Sequence, residues 1–218
     1  MIIFDLDGTL LNTIDDLGMA CNHALKHFGY PTHTLEEYKH LVGNGVSKLI
    51  ERSLPQENRT AETIEKLRNV FVEYYDLHCC ERTHPYEGIA QLIETLINQN
   101  INIAVASNKY QTAAEQIVHH YFPKTLRVYG QRDGIPIKPD PYVVNQIRKD
   151  FKLNDETVIF VGDSAVDMLT AANANAVSIG VSWGFRGRVE LENAHADYIA
   201  DNTTELKNIL NKLCEKQF

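Results

Sequence analysis

The chain has 218 residues, 44% of them hydrophobic and 23% charged, an ordinary globular composition with length for one core carrying a smaller insertion. Its 21 Lys and Arg stand against 29 Asp and Glu, a formal charge of −8 with no basic stripe, so no nucleic acid is expected as a partner. No apolar run approaches the roughly 20 residues that span a bilayer, and the first residues lack a basic n-region; no membrane partner is expected, and the cytoplasm is the default compartment.

Met1 to Phe4 is a short apolar run that stops abruptly at Asp5, which predicts a buried strand. The next stretch holds no convincing strand. Leu17, Ala20, Cys21, Ala24, Leu25 and Phe28 mark one helix that ends near Gly29-Tyr30-Pro31. Leu49, Ile50 and Leu54, then Ile64, Leu67, Val70, Phe71 and Tyr74, continue in helical spacing. Beyond this insert of roughly 70 residues, a size that suits a small bundle, the rhythm changes. Strands are expected at Ile101–Ala106, Arg127–Tyr129, Val158–Val161 and Ala176–Ile179, and helices at Gln91–Ile97, Tyr142–Phe151 and Ala165–Ala174. Strands alternating with helices imply an α/β fold with a parallel sheet and right-handed crossovers. The expected division is an α/β core of residues 1–12 and 82–218 with an all-helical domain of residues 13–81 inserted. Ligands of such sheets bind beyond the carboxyl ends of the strands, where an insert after the first strand would lie as a lid.

Four motifs fall at such strand ends. Asp5-Leu6-Asp7-Gly8-Thr9 places two carboxylates one residue apart, with Gly8 permitting a turn that aims side chains and backbone N–H groups at one point. Ser107-Asn108 offers a hydroxyl and an amide. Lys138-Pro139 sets a lysine at a corner before a helix that Pro141 can start. Gly162-Asp163-Ser164-Ala165-Val166-Asp167 spaces two carboxylates by one helical turn, a donor set suited to a hard cation such as magnesium. Each alone has a plain reading as a turn, cap or solvated lysine. Unrelated turns would not coincide in this order.

The order D-x-D-G-T, S-N, K-P, G-D-x-x-x-D resembles the haloacid dehalogenase superfamily, most closely its phosphoglycolate phosphatase-like branch. The resemblance extends to Leu11-Asn12-Thr13, Tyr86-Glu87-Gly88, Trp183-Gly184 and the G-x-G turn Gly43-Asn44-Gly45. It implies a Rossmann-like core with a helical type 1 cap. It also implies a Mg²⁺-dependent phosphatase that acts on a small phosphorylated metabolite, with 2-phosphoglycolate the leading substrate. By that resemblance Asp5 is the nucleophile that forms an aspartyl phosphate, and Asp7 is the acid and base. Mg²⁺ is bound by Asp5, the backbone carbonyl of Asp7 and Asp163, with Asp167 binding through water or orienting that shell. Lys138, Ser107, Asn108 and the N–H groups of Gly8 and Thr9 hold phosphoryl oxygens, and Gly43, Asn44 and Gly45 contact the substrate.

Alternatives on the same core are a phosphosugar mutase, suggested by Gly45-Val46-Ser47-Lys48, and a pyrophosphatase or nucleotidase. A non-catalytic binding module would be expected to have lost a carboxylate, and all four remain. Trp183-Gly184-Phe185-Arg186 reads as a packed loop in which Arg186 is a secondary substrate candidate. His23, His27, His119 and His120 read as structural or surface residues. Cys21, Cys79, Cys80 and Cys214 make no metal or C-x-x-C spacing and read as reduced thiols. The expected oligomeric state is monomer or homodimer.

Overall fold

Strands made wholly of apolar residues need cover on both faces, and the fold supplies it. The computed structural model describes residues 1–123, 126–153 and 156–215. In chain order the elements are β1 (Ile2–Phe4), β2 (Leu11–Asn12), then α1 (Ile14–His27), α2 (Leu35–Leu41), α3 (Val46–Ser53) and α4 (Ala61–His78). There follow β3 (His84–Pro85), α5 (Ile89–Asn98), β4 (Ile103–Tyr110), α6 (Gln111–Tyr121), β5 (Arg127–Gln131) and α7 (Tyr142–Asp150). The last elements are β6 (Ile159–Gly162), α8 (Ala165–Asn173), β7 (Val177–Val181), α9 (Gly187–Asn193), β8 (Tyr198–Ala200) and α10 (Thr203–Glu215). Six strands form one parallel sheet in the order β5-β4-β1-β6-β7-β8.

Strand β1 lies at the centre, with Ile2, Ile3 and Phe4 paired to Ile103, Ala104 and Val105 on one side and to Ile159, Phe160 and Val161 on the other. Side chains alternate across it. Ile2 and Phe4 join a core that runs on through α5, α6, α10 and the four-helix insert, while Met1 and Ile3 pack with Val144, Ile147 and Ala171 of α7 and α8. The chain leaves β1 toward β4 and β5, then crosses back to β6 on the other side. The crevice at such a reversal opens beyond the carboxyl ends of the strands.

The helices of the insert pack on one another as part of that same core. Leu17, Ala20, Cys21, Ala24 and Leu25 of α1 meet Tyr38, Leu49, Ile50, Leu67, Phe71 and Tyr75, all buried. Capping agrees with the pattern: Thr34 and Glu37 form a reciprocal capping box at α2, and the Thr60 hydroxyl accepts from Thr63 N at α4. The chain enters and leaves the insert through the antiparallel ribbon of β2 and β3.

Several elements depart from the sequence pattern. The β2–β3 ribbon and β8 are only two or three residues long and carry no usable periodicity. Helix α6 buries Ala113, Ala114, Ile117 and Val118, a stripe too thin in large apolar side chains to stand out. Strand β4 continues to Tyr110, past the expected end at Ala106, through a register irregularity where Lys109 N donates to the Ser107 hydroxyl at 3.1 Å. No helix among the described residues is long and apolar enough to cross a membrane.

One buried carboxylate fastens the two crossings. Asp16, in the first turn of α1, accepts from Arg82 N, Thr83 N and the Thr83 hydroxyl at 2.8–3.1 Å. Asp16→Ala leaves those donors without their acceptor, so a loss of about 2–3 kcal/mol is expected. Denaturant unfolding checks this; a change below about 0.5 kcal/mol would show that the bracket is not a stabilising one.

Candidate active site

Three neighbouring strand ends bring the predicted motifs to one place. Asp5 follows β1, and its N–H continues the ladder to Val161 O at 2.8 Å. Asp163 follows β6, and Asp167 lies in the first turn of α8. Carboxylate oxygens of Asp5, Asp163 and Asp167 all lie within 4.8 Å of one another, and all three residues are buried.

Glycines make room for this crowding. Gly8 has φ +82°, and a Cβ there would strike the Asp163 carboxylate. A Cβ on Gly184 would strike Asp163 from the other side, and one on Gly162 would strike Asp167. Phe185 N donates to Asp163 Oδ2 at 2.7 Å, and Trp183 Nε1 donates to Thr9 O at 3.2 Å, so the Trp183–Phe185 loop braces both acidic motifs.

Lys138 enters the cluster from the loop before α7. Its Nζ lies 2.7 Å from Asp5 Oδ1 and 2.7 Å from Asp167 Oδ1. The second Asp167 oxygen accepts from Ser164 N and the Ser164 hydroxyl, completing a capping box. Three carboxylates against one ammonium leave two negative charges uncompensated in a buried space, a costly arrangement on its own. The protonation equilibria carry the same imbalance. Burial, followed by the charge of Asp167, pushes the Asp5 carboxyl up to about 7 despite the attraction of Lys138. Burial, then Asp167 and Asp5, also pushes Asp163 well above the usual carboxylate range. Burial alone would lower the Lys138 ammonium; Asp167 and Asp5 outweigh it and hold the group above its ordinary value.

Asp7 stands apart from this cluster. Its Oδ1 accepts from the Thr13 hydroxyl at 2.7 Å and lies 3.1 Å from Lys109 Nζ. Lys109 in turn donates to the hydroxyl of Tyr75, from α4 of the insert, at 3.0 Å. This second ion pair is balanced in charge.

The insert covers the site. Leu49, Phe71 and Tyr75 from its helices, with Gly43 and Gly45 from its turn, line a cavity whose floor is Asp5, Asp7, Ser107, Lys138 and Asp163. Two core side chains reach the turn: Arg186 Nη2 donates to Val42 O at 2.7 Å, and Asn108 Nδ2 to Gly43 O at 3.2 Å.

Some expected contacts fall elsewhere. The N–H groups of Gly8 and Thr9 close the loop on Leu11 O and Leu6 O at 2.9 and 3.3 Å. The Thr9 hydroxyl is fully buried without a partner among the described residues. The Asn44 side chain accepts from Arg52 at 2.7 Å and does not line the cavity. Lys109 and Tyr75 were given no role from sequence. Lys109 carries no local signal, because it lies beyond the expected strand end at Ala106, in the irregular stretch through which β4 runs on to Tyr110. Tyr75 carried none beyond its place on a buried helix face.

The structure thus sets a paired acidic motif at the end of the central strand of a parallel sheet, beneath a helical insert. Residues 2–181 match the family model described as Haloacid dehalogenase-like hydrolase, and the chain belongs to that family. Within it the chain falls in the phosphoglycolate phosphatase-like branch. It is 30% identical to a phosphoglycolate phosphatase of Mannheimia succiniciproducens over 96% of this chain and 97% of that one. It is 29% identical to that of Vibrio parahaemolyticus, covering 96% and 95%. A solved protein of Lactobacillus delbrueckii subsp. bulgaricus, described as a candidate phosphoglycolate phosphatase, superposes with a TM-score of 0.88 at 30% identity, covering 95% and 96%.

The three-carboxylate cluster fits a divalent cation, because it offers hard oxygens and lacks two positive charges. A pH signature follows. The folded protein keeps protons on Asp5 and Asp163 that the unfolded chain releases above the ordinary value of 3.8. That contribution to stability is present below pH 3.8 and is lost as pH rises through about 7. A divalent cation competes with those protons. It is therefore expected to raise Tm more at about pH 8 than at about pH 5.5, read by thermal denaturation with and without Mg²⁺. Equal shifts at both pH values would contradict the uncompensated-charge reading.

Proposed function

We propose that this phosphatase is magnesium-dependent and that Asp5 is its nucleophile, with 2-phosphoglycolate the leading substrate. The phosphatase class is that of its family and relatives. The observation that carries the residue assignment is the position of Asp5, shared between Lys138 and the unbalanced carboxylates and facing the covered cavity. Asp5, Asp163 and the backbone carbonyl of Asp7 would hold the cation, with Asp167 orienting its surroundings while bonded to Lys138 and Ser164. A bound cation supplies charge neutralisation at the phosphoryl group and at the attacking carboxylate.

The residues then divide the reaction. With Asp7 entering protonated on Oδ2, the oxygen outside its contacts with Lys109 and Thr13, an Asp5 oxygen attacks phosphorus, the ester oxygen leaves with that proton, and an aspartyl phosphate remains. Asp7 next takes a proton from water as that water attacks the phosphorus; the bond between Asp5 and phosphorus breaks, inorganic phosphate leaves and the Asp5 carboxylate is restored. Thr13 and Lys109 fix the Asp7 carboxyl in place for both steps. Lys138 offsets the charge of Asp5 as the phosphate dianion approaches. Ser107, whose oxygen accepts from Lys109 N, keeps its hydroxyl hydrogen for a phosphoryl oxygen. Residues 13–81 act as a cap that excludes water from the cavity. A closed cover over Asp5 favours a small ester over a protein substrate. The four cysteines are free thiols, which suits a cytoplasmic setting.

The mutase alternative draws on the segment Gly45-Val46-Ser47-Lys48. The Lys48 side chain is 55% exposed, pairs with Glu51, and does not line the cavity. Hydrolysis is the reading the geometry supports.

A phosphate-release screen over phosphoglycolate, sugar phosphates, nucleotides and pyrophosphate, with and without Mg²⁺, tests substrate and cofactor together. Asp5→Asn is expected to lower kcat by at least about 10³-fold, and trapped phosphoenzyme is expected to map to Asp5. Turnover by Asp5→Asn close to wild type would refute the nucleophile assignment.

A further inference from the structure

Asn108 follows the cavity serine, and its neighbours alone would suggest a hand on the phosphate. Its amide is fully engaged elsewhere. Oδ1 accepts from Lys138 N at 2.9 Å, and Nδ2 donates to Lys138 O at 3.1 Å and to Gly43 O at 3.2 Å. Both amide hydrogens are used, and the residue is buried. The first two bonds clamp the peptide of the lysine that bridges Asp5 and Asp167; the third ties the same side chain to the turn of the insert. That turn is seated closely: a Cβ on Gly45 would stand 3.2 Å from Asn108 O and 2.7 Å from Gln131 Oε1. Arg186 holds Val42 O from the other rim.

We infer that Asn108 is a positioning residue that couples seating of the 42–45 turn to placement of the Lys138 ammonium between Asp5 and Asp167. Two bonds from one amide fix the lysine backbone in two directions, so its Nζ reaches both carboxylates. The bond to Gly43 O restrains that amide from the insert side. When the turn lifts, Nδ2 loses one of its two acceptors and the clamp loosens. Misplacement on the scale of an ångström costs up to about 100-fold in rate. The kinetic side of this inference rests on the phosphatase role proposed for Lys138; the structural coupling does not.

Asn108→Asp keeps the size of the side chain and the acceptor for Lys138 N while removing both donors; Asn108→Ala removes all three bonds. Each variant is expected to lower kcat about 10- to 100-fold with KM within about 3-fold. In a Lys138→Ala background, read by single-turnover phosphate release, Asn108→Ala is expected to cost less than about 2-fold more, because the residue acts through the lysine. Hydrogen exchange without substrate gives an independent readout: segments 42–46 and 136–140 are expected to exchange faster together in Asn108→Asp. A raised KM at unchanged kcat, an equal loss in both backgrounds, or faster exchange in one segment alone would overturn the inference. If wild-type protein releases phosphate from no substrate in the screen, the functional reading fails, and the exchange result still decides the coupling.

Discussion

The structure is organised around an electrostatic debt at the carboxyl edge of the sheet. Asp5, Asp163 and Asp167 converge in a buried space with Lys138 as the cation among them. Such a cluster is tolerable only when held by its surroundings and completed by further positive charge. The surroundings are visible: a ladder bond from Asp5 N, a backbone donor on Asp163 and a capping box on Asp167. The glycines flanking the cluster belong to the same solution, since a side chain at Gly8, Gly162 or Gly184 would occupy the space of a carboxylate. The field at the site is set by these local charges, while the net charge of the chain concerns the distant surface.

A second arrangement lies beside the first and obeys a different rule. Asp7 and Lys109 balance each other, and the hydroxyls of Thr13 and Tyr75 complete their hydrogen bonding. Two carboxylates one residue apart therefore meet unlike surroundings. Tyr75 belongs to the insert and Lys109 to the sheet, so one hydrogen bond joins the cover to this ion pair.

Much of this could be read from the chain before any coordinates. The apolar runs ending in Asp5 and Gly162 mark strands buried on both faces, and their abrupt acidic ends mark the edge where the site forms. The helical spacing of Leu17 to Leu25 and of Leu67 and Phe71 marked the insert. What escaped depends on long-range geometry. Nothing local distinguishes Lys109 from a solvated lysine until Asp7 and Tyr75 arrive from elsewhere in the chain. Asn108 looked like a phosphate ligand because its partners, Lys138 and Gly43, are remote in sequence. Gly8 and Thr9 sit in the right motif, yet their N–H groups answer the loop's own carbonyls, a short-range competition that residue type does not reveal. Strand β8 is three residues at a sheet edge, held by pairing with β7 more than by its own pattern.

The bracket at Asp16 has a mechanical consequence. Asp16 on α1 holds the backbone just before β3, so the points where the chain enters and leaves the insert are spliced side by side. Helix α4 is tied to the sheet farther along, by Tyr110 to Asp76 and Lys109 to Tyr75, so the insert is clasped along one helix as well as at its roots. The 42–45 turn, gripped by Arg186 and Asn108, is a third point of attachment.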